Sequence, residues 1–193
     1  MPSIIDYPIV LQQMQSQSLR SLYHNSGAFA LPQQWAASVV AWIGPPDSTI
    51  RPEAMPLVRP IRQPYELMLT VMGHELWQKQ FPGPVWFMPM SHWAFECGQD
   101  WMPPLLQKIG ISPDLLSTRN DAAAIEFQRE ELKPFTHFLT GLLTHLIGSD
   151  FAMAFPGHQT LCTVHHHKQL WWSTQDAQVL AAVELLAKEF AAS

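Results

Sequence analysis

The sequence predicts an α+β domain, a mainly antiparallel, mixed sheet of about six or seven strands covered by helices. Three observations carry that expectation. The first is the stretch 150–173, where Phe151, Met153 and Phe155 alternate with Ala152 and Ala154, as side chains on opposite faces of a strand do. Pro156 and Gly157 break it, and 160–165 then folds back on 169–173 around His166, His167 and Lys168. The second is the helical period over 131–147, with Phe135, Phe138, Leu139, Leu142, Leu143 and Leu146 on one face. The third is element order. Strands come in hairpins more than in strict alternation with helices, which disfavours a doubly wound parallel sheet.

Taken in order, 7–25 reads as a helix. Tyr7, Leu11, Met14 and Leu22 form its stripe, Leu19 sits at its edge, and Asn25, Ser26 and Gly27 stop it. Residues 35–43, rich in Ala, Val and Trp, read as a buried strand ending at Gly44. Pro45, Pro46, Pro52, Pro56 and Pro60 then mark an extended connection, because proline fixes φ and removes a donor. Pro64 opens a helix with Tyr65, Met68, Leu69, Met72 and Leu76 buried and His74 opposite them. Residues 85–88 and 93–97 read as short strands about Pro89, and 101–109 as a short helix closed by Gly110. Ser112 and Pro113 form a second start signal, and 122–127 reads as a strand. The last helix, 174–190, buries Val179, Leu180, Val183, Leu186 and Phe190, with Ser173 and Asp176 matching a capping box. Residues 1–193 thus read as one domain, with 1–30 a candidate N-terminal helical arm.

Composition narrows the function classes. Only 14% of residues are charged, against about 25% in an average soluble domain. So sparse a charged surface suggests that part of it is covered by another subunit, a partner protein or a small apolar ligand. Net charge is −5 and the 11 Lys and Arg form no run, which excludes the electrostatic footprint of nucleic-acid binding. The start of the chain lacks the basic and apolar regions of a signal peptide, and no apolar run approaches the ~20 residues of a membrane span. A cytoplasmic location with two free thiols, Cys97 and Cys162, is expected.

Few constellations suggest chemistry. His158, Cys162, His165 and His167 lie close in sequence, and imidazole is the commonest metal ligand. Alternation puts His165 and His167 on one face if the strand extends that far, with His92 or His158 to complete a zinc shell and Glu96 as general base. A tolerant, merely polar hairpin tip is the simpler account of the triplet. Cys162 beside His158 or His166 is a candidate nucleophile, although a cysteine in mid-strand is more often a small hydrophobe. Trp86, Met88, Trp93 and Trp101 are candidates to line an apolar ligand pocket, or else simply core. No phosphate loop, nucleophile elbow or cysteine-pair zinc pattern is present. The leading expectation is a non-catalytic binding protein and homo-oligomer, without cofactor. The alternative is a metal-assisted hydrolase built on the histidine-rich hairpin.

Overall fold

The computed structural model describes residues 1–16, 39–49 and 57–191. Leu19, Leu22, the stop signal at 25–27, the start of the strand at 35–38, and Pro52 and Pro56 lie outside the described residues. Eight strands form one mixed sheet: β1 (Ser3–Ile5), β2 (Val39–Gly44), β3 (Leu57–Pro60), β4 (Val85–Pro89), β5 (Ala124–Phe127), β6 (Phe151–Ala154), β7 (Thr160–His165) and β8 (Gln169–Thr174). Their spatial order is β1-β5-β4-β6-β7-β8-β2-β3. Every neighbouring pair is antiparallel except β2 with β3. Among the described residues there are six helices: α1 (Tyr7–Ser16), α2 (Tyr65–Gln80), α3 (Trp93–Cys97), α4 (Met102–Lys108), α5 (Leu132–His145) and α6 (Ala177–Glu189). None of them is long and apolar enough to cross a membrane.

The α+β class and the hairpins of 151–174 stand as the sequence predicts; the strand count of six or seven does not. β1 and β3 are three and four residues long and lie at the two edges of the sheet, too short to show a period. β3 ends in Pro60, which an edge strand tolerates because one side of its ladder is unpaired. Residues 93–97, expected as a strand, form a helix. Five residues cannot distinguish the two periods, but helical spacing puts Trp93 and Glu96 together on the buried side. His92 caps this turn by accepting the Phe95 N–H at its Nδ1, 3.1 Å away.

Alternation gives the sheet two distinct faces. Ile43, Phe87, Ile125, Phe127, Phe151, Met153, Cys162, Val164, Leu170 and Trp172 meet α2, α5 and α6 in the main core. Trp86, Met88, Ala124, Ala152, Ala154 and Leu161 point the other way, against Val10 and Met14 of α1. Val10, rather than the expected Leu11, therefore leads the buried side of α1. Helix α5 shows what drives these elements. Its N-cap Glu131 makes no side-chain cap bond, yet Phe135, Phe138, Leu139, Leu142 and Leu143 are all buried. Each such side chain contributes about 1.5–3 kcal/mol, so burial outweighs the ~1 kcal/mol of a missing cap. In α6 the cap is Asp176, whose Oδ1 accepts the N–H of Gln178 at 2.8 Å and of Val179 at 3.4 Å. Ser173, the expected partner in a capping box, stays in β8 instead.

Candidate functional site

Strand register and the turn after β7 assemble the site. Pro89 opposes Phe151 and Phe151 opposes Val164, so the residues just past these pairs meet at one end of the sheet. Extending the register by one places Asp150 opposite His165, and the Met90 N–H donates to the Asp150 carbonyl at 2.8 Å. Strand β7 stops at His165, and the turn that follows has Lys168 in the left-handed region at φ 58°. The turn, rather than strand alternation, decides where the triplet points. His165, His166 and His167 each bring one nitrogen within 4.8 Å of the others. The rings also stack, His165 on His166 at 4.3 Å and His165 on Trp171 at 4.2 Å between centroids.

Asp150 organises the cluster. Its Oδ1 accepts the backbone N–H of His166 at 3.0 Å and the same residue's ring Nδ1–H at 2.8 Å, while Oδ2 lies 3.9 Å from His165 Nε2. A carboxylate oxygen only accepts, so the proton of His166 sits on Nδ1 and the lone pair of Nε2 stays free. His165 is 5% exposed. Burial, reinforced by the neighbouring imidazoles and opposed by Asp150, holds its pKa down at about 4. Its ring is therefore neutral at pH 7, the form a metal ion requires. His165 Nδ1 accepts the His167 N–H through a long bond of 3.2 Å, a weak tie that a stronger ligand bond can replace.

Beside the cluster opens a cleft of about 380 Å³, walled by Ser91, His92, Phe95, Ser149, Asp150 and His166. Beneath it lies Glu96, fully buried, with its carboxylate accepting from Ser91 Oγ and from Ser149 Oγ, the latter at 3.2 Å. Burial raises the Glu96 pKa, the two hydroxyls pull it back, and Asp150 adds a further push upward. Glu96 thus ties the segment after β4 to the segment before β6, one wall of the cleft to the other. Phe95 and Ile147, 45% and 84% exposed, leave apolar surface on or beside two of these segments.

The other candidates scatter. His158 precedes β7 at its far end, its ring edge-on to Phe81 at 5.1 Å, and a six-residue strand separates it from the triplet. That distance is roughly 20 Å at ~3.3 Å per residue. Cys162 points into the helix-covered core, where burial raises its thiol pKa well above the ordinary value and its Sγ–H faces the Thr163 carbonyl at 3.8 Å. Cys97 is pushed up to about 11 by burial and then by Glu96. Trp86 and Met88 lie under α1, with Trp86 Nε1–H donating to Glu126 at 2.8 Å. Trp93 is buried in the main core and donates to the Ala123 carbonyl. Trp101 instead lines a groove between α4 and α5. The four therefore share no pocket.

Asp150, His166, Ser91 and Ser149 belong to the site although the sequence reading did not single them out for it. One signal was available for Asp150. The antiparallel pairing of 151–154 with 160–165 carries it to His165 by simple counting. Comparison with known protein families, characterised proteins and solved structures finds no match for this chain.

Proposed function

We propose that this protein binds a divalent transition-metal ion, zinc by preference, on His165, His166 and His167, and uses it for hydrolysis in the adjoining cleft. The observation that carries this reading is the pairing of His166 Nδ1 with Asp150 beside two further imidazoles. A carboxylate on the far nitrogen fixes the tautomer of a metal-binding histidine and raises its basicity. Three protein ligands leave a coordination position open, as in catalytic rather than structural zinc sites. Tetrahedral binding needs nitrogens about 3.4 Å apart at a Zn–N distance of ~2.0–2.1 Å, so the rings must close slightly from their present spacing. An ion there would supply a water acidic enough to be hydroxide near pH 7. His166 and Asp150 line the cleft, so the open position serves a substrate held there, opposite His92 and the hydroxyls of Ser91 and Ser149. Glu96, below the floor, positions the two serines and does not act as the base.

The test is elemental analysis of protein purified without a histidine tag or chelator. One equivalent of zinc, lost in both His165→Ala and His166→Ala, supports the reading. Metal-free protein that also fails to take up added zinc removes it. A second reading keeps the cleft and drops the chemistry: exposed Phe95 and Ile147 would dock a partner, an apolar ligand or a second copy. Metal-free protein with a solution mass that is a multiple of 21.9 kDa would favour it.

A further inference from the structure

We propose a second binding site in the groove between α4 and α5, one that takes a small planar anion of the aromatic carboxylate class. It is independent of the histidine cluster. The groove has a volume of about 430 Å³, within the range of small-molecule sites, and no carboxylate lines it. Its charge is anomalous for a chain of net charge −5. Lys79, Lys168, Lys188, Arg59 and Arg119 each pair with an acidic side chain. Among the described residues, no carboxylate lies within ion-pair reach of Lys108 or Lys133. Lys108 lines the groove, and both lysines act on His137 in its wall: burial first, then these two cations, lower the His137 pKa. Among the described residues the charges acting on this groove are therefore positive.

Shape supplies the second half of the argument. Trp101 and His145 lie nearly parallel, 23° apart with centroids at 5.8 Å, and form an offset aromatic wall. Gly141 lets α5 approach α4 closely: a Cβ there would lie 2.6 Å from Leu105. The hydroxyls nearby are already engaged, Thr140 with Thr70 at 3.0 Å and Thr144 with the Thr140 carbonyl at 2.7 Å. What the groove offers a ligand is thus one ammonium and a flat ring, which fits one negative charge on one aromatic ring. An extended polyanion would need a basic track, and among the described residues Lys108 is the one lysine or arginine that lines the groove.

The experiment is amide and indole NMR of the ¹⁵N-labelled full chain, titrated with benzoate, cyclohexanecarboxylate and benzyl alcohol. Benzoate is expected to shift the Trp101 indole and the Lys108 and His137 amides saturably, with Kd on the order of 1 mM or tighter. Cyclohexanecarboxylate should bind about tenfold more weakly, because stacking is lost. Benzyl alcohol, which has no charge, should not saturate, and Lys108→Glu should abolish the benzoate response. Lys108 is exposed, so this variant keeps the fold. The proposal is overturned by benzoate giving no saturable shift at these residues, by benzyl alcohol matching it, or by Lys108→Glu binding as the wild type does.

Discussion

Asp150 holds His166 twice, once at the backbone N–H and once at ring Nδ1, both on the same carboxylate oxygen. The double contact sets the turn conformation and the imidazole tautomer together. Asp150→Asn keeps the shape and an oxygen that can accept from His166, but removes the carboxylate charge behind the imidazole. Zinc affinity is expected to fall about 10–100-fold. Competition titration against a chromogenic chelator measures it. Unchanged affinity would mean that Asp150 serves the turn alone.

His165 gives the metal-free protein a pH dependence of definite sign. Its pKa drops from an ordinary 6.5 to about 4 on folding, so the unfolded chain binds the proton more tightly. Stability is therefore undiminished above pH 6.5 and falls as pH drops from 6.5 toward 4, with no further loss from this group below that. The gap sets a ceiling on the order of 3 kcal/mol. His165→Phe keeps the stack on Trp171 and has no proton to bind, so its urea-unfolding free energy should lack this slope. If both proteins trace parallel curves across the window, the attribution fails.

Glu96 works in the opposite direction. Its folded pKa lies above the ordinary 4.5, so its contribution is full below that value and declines as pH rises through the folded pKa. Glu96→Gln retains a hydrogen-bonding group between Ser91 and Ser149 without the charge. It should gain on the wild type as pH rises and not near pH 4. Glu96→Ala, which leaves both hydroxyls without their shared partner, should cost about 1–3 kcal/mol near pH 4, a cost that shrinks as pH rises. Denaturant titrations at several pH values separate the two variants.

Two glycines in helices are expected to respond differently to alanine. Helix propensity favours alanine by ~1 kcal/mol at either site. At Gly73 the new methyl would meet one Leu139 methyl at 2.9 Å, a contact that a small rotation relieves. At Gly141 it would meet both Leu105 methyls at 2.6 Å and the Leu105 Cγ at 3.2 Å, forcing α4 away from α5. Overpacking of that kind costs about 1–3 kcal/mol. Gly73→Ala should be near neutral and Gly141→Ala destabilising, as thermal unfolding can show. Equal effects would refute the close approach of the two helices.

Much of the fold was legible because single elements bury single faces. The stripe of Phe135, Phe138, Leu139, Leu142 and Leu143 is buried as its 3.6-residue period requires, and β6, β7 and β8 fall where alternation and breakers put them. The two edge strands and α3 were not legible, since three to five residues carry no resolvable period. The site was readable only in pieces. His92, Glu96, His165 and His167 stood out by residue type; His166 did so only as a partner for Cys162, because alternation put it on the opposite face, and Asp150 did not stand out.

By itself the sequence determined an α+β chain, poor in charge, with a histidine-bearing hairpin between β7 and β8. Those properties depend on composition and on periods of two and 3.6 residues, which are local. Only the tertiary structure decided which histidines meet, that Asp150 faces them, and that Glu96 lies beneath the cleft. These depend on the register of β6 with β7 and with β4, and on a left-handed residue in the turn. A shift of one residue in the pairing of β6 with β7 would turn Asp150 away from the histidines.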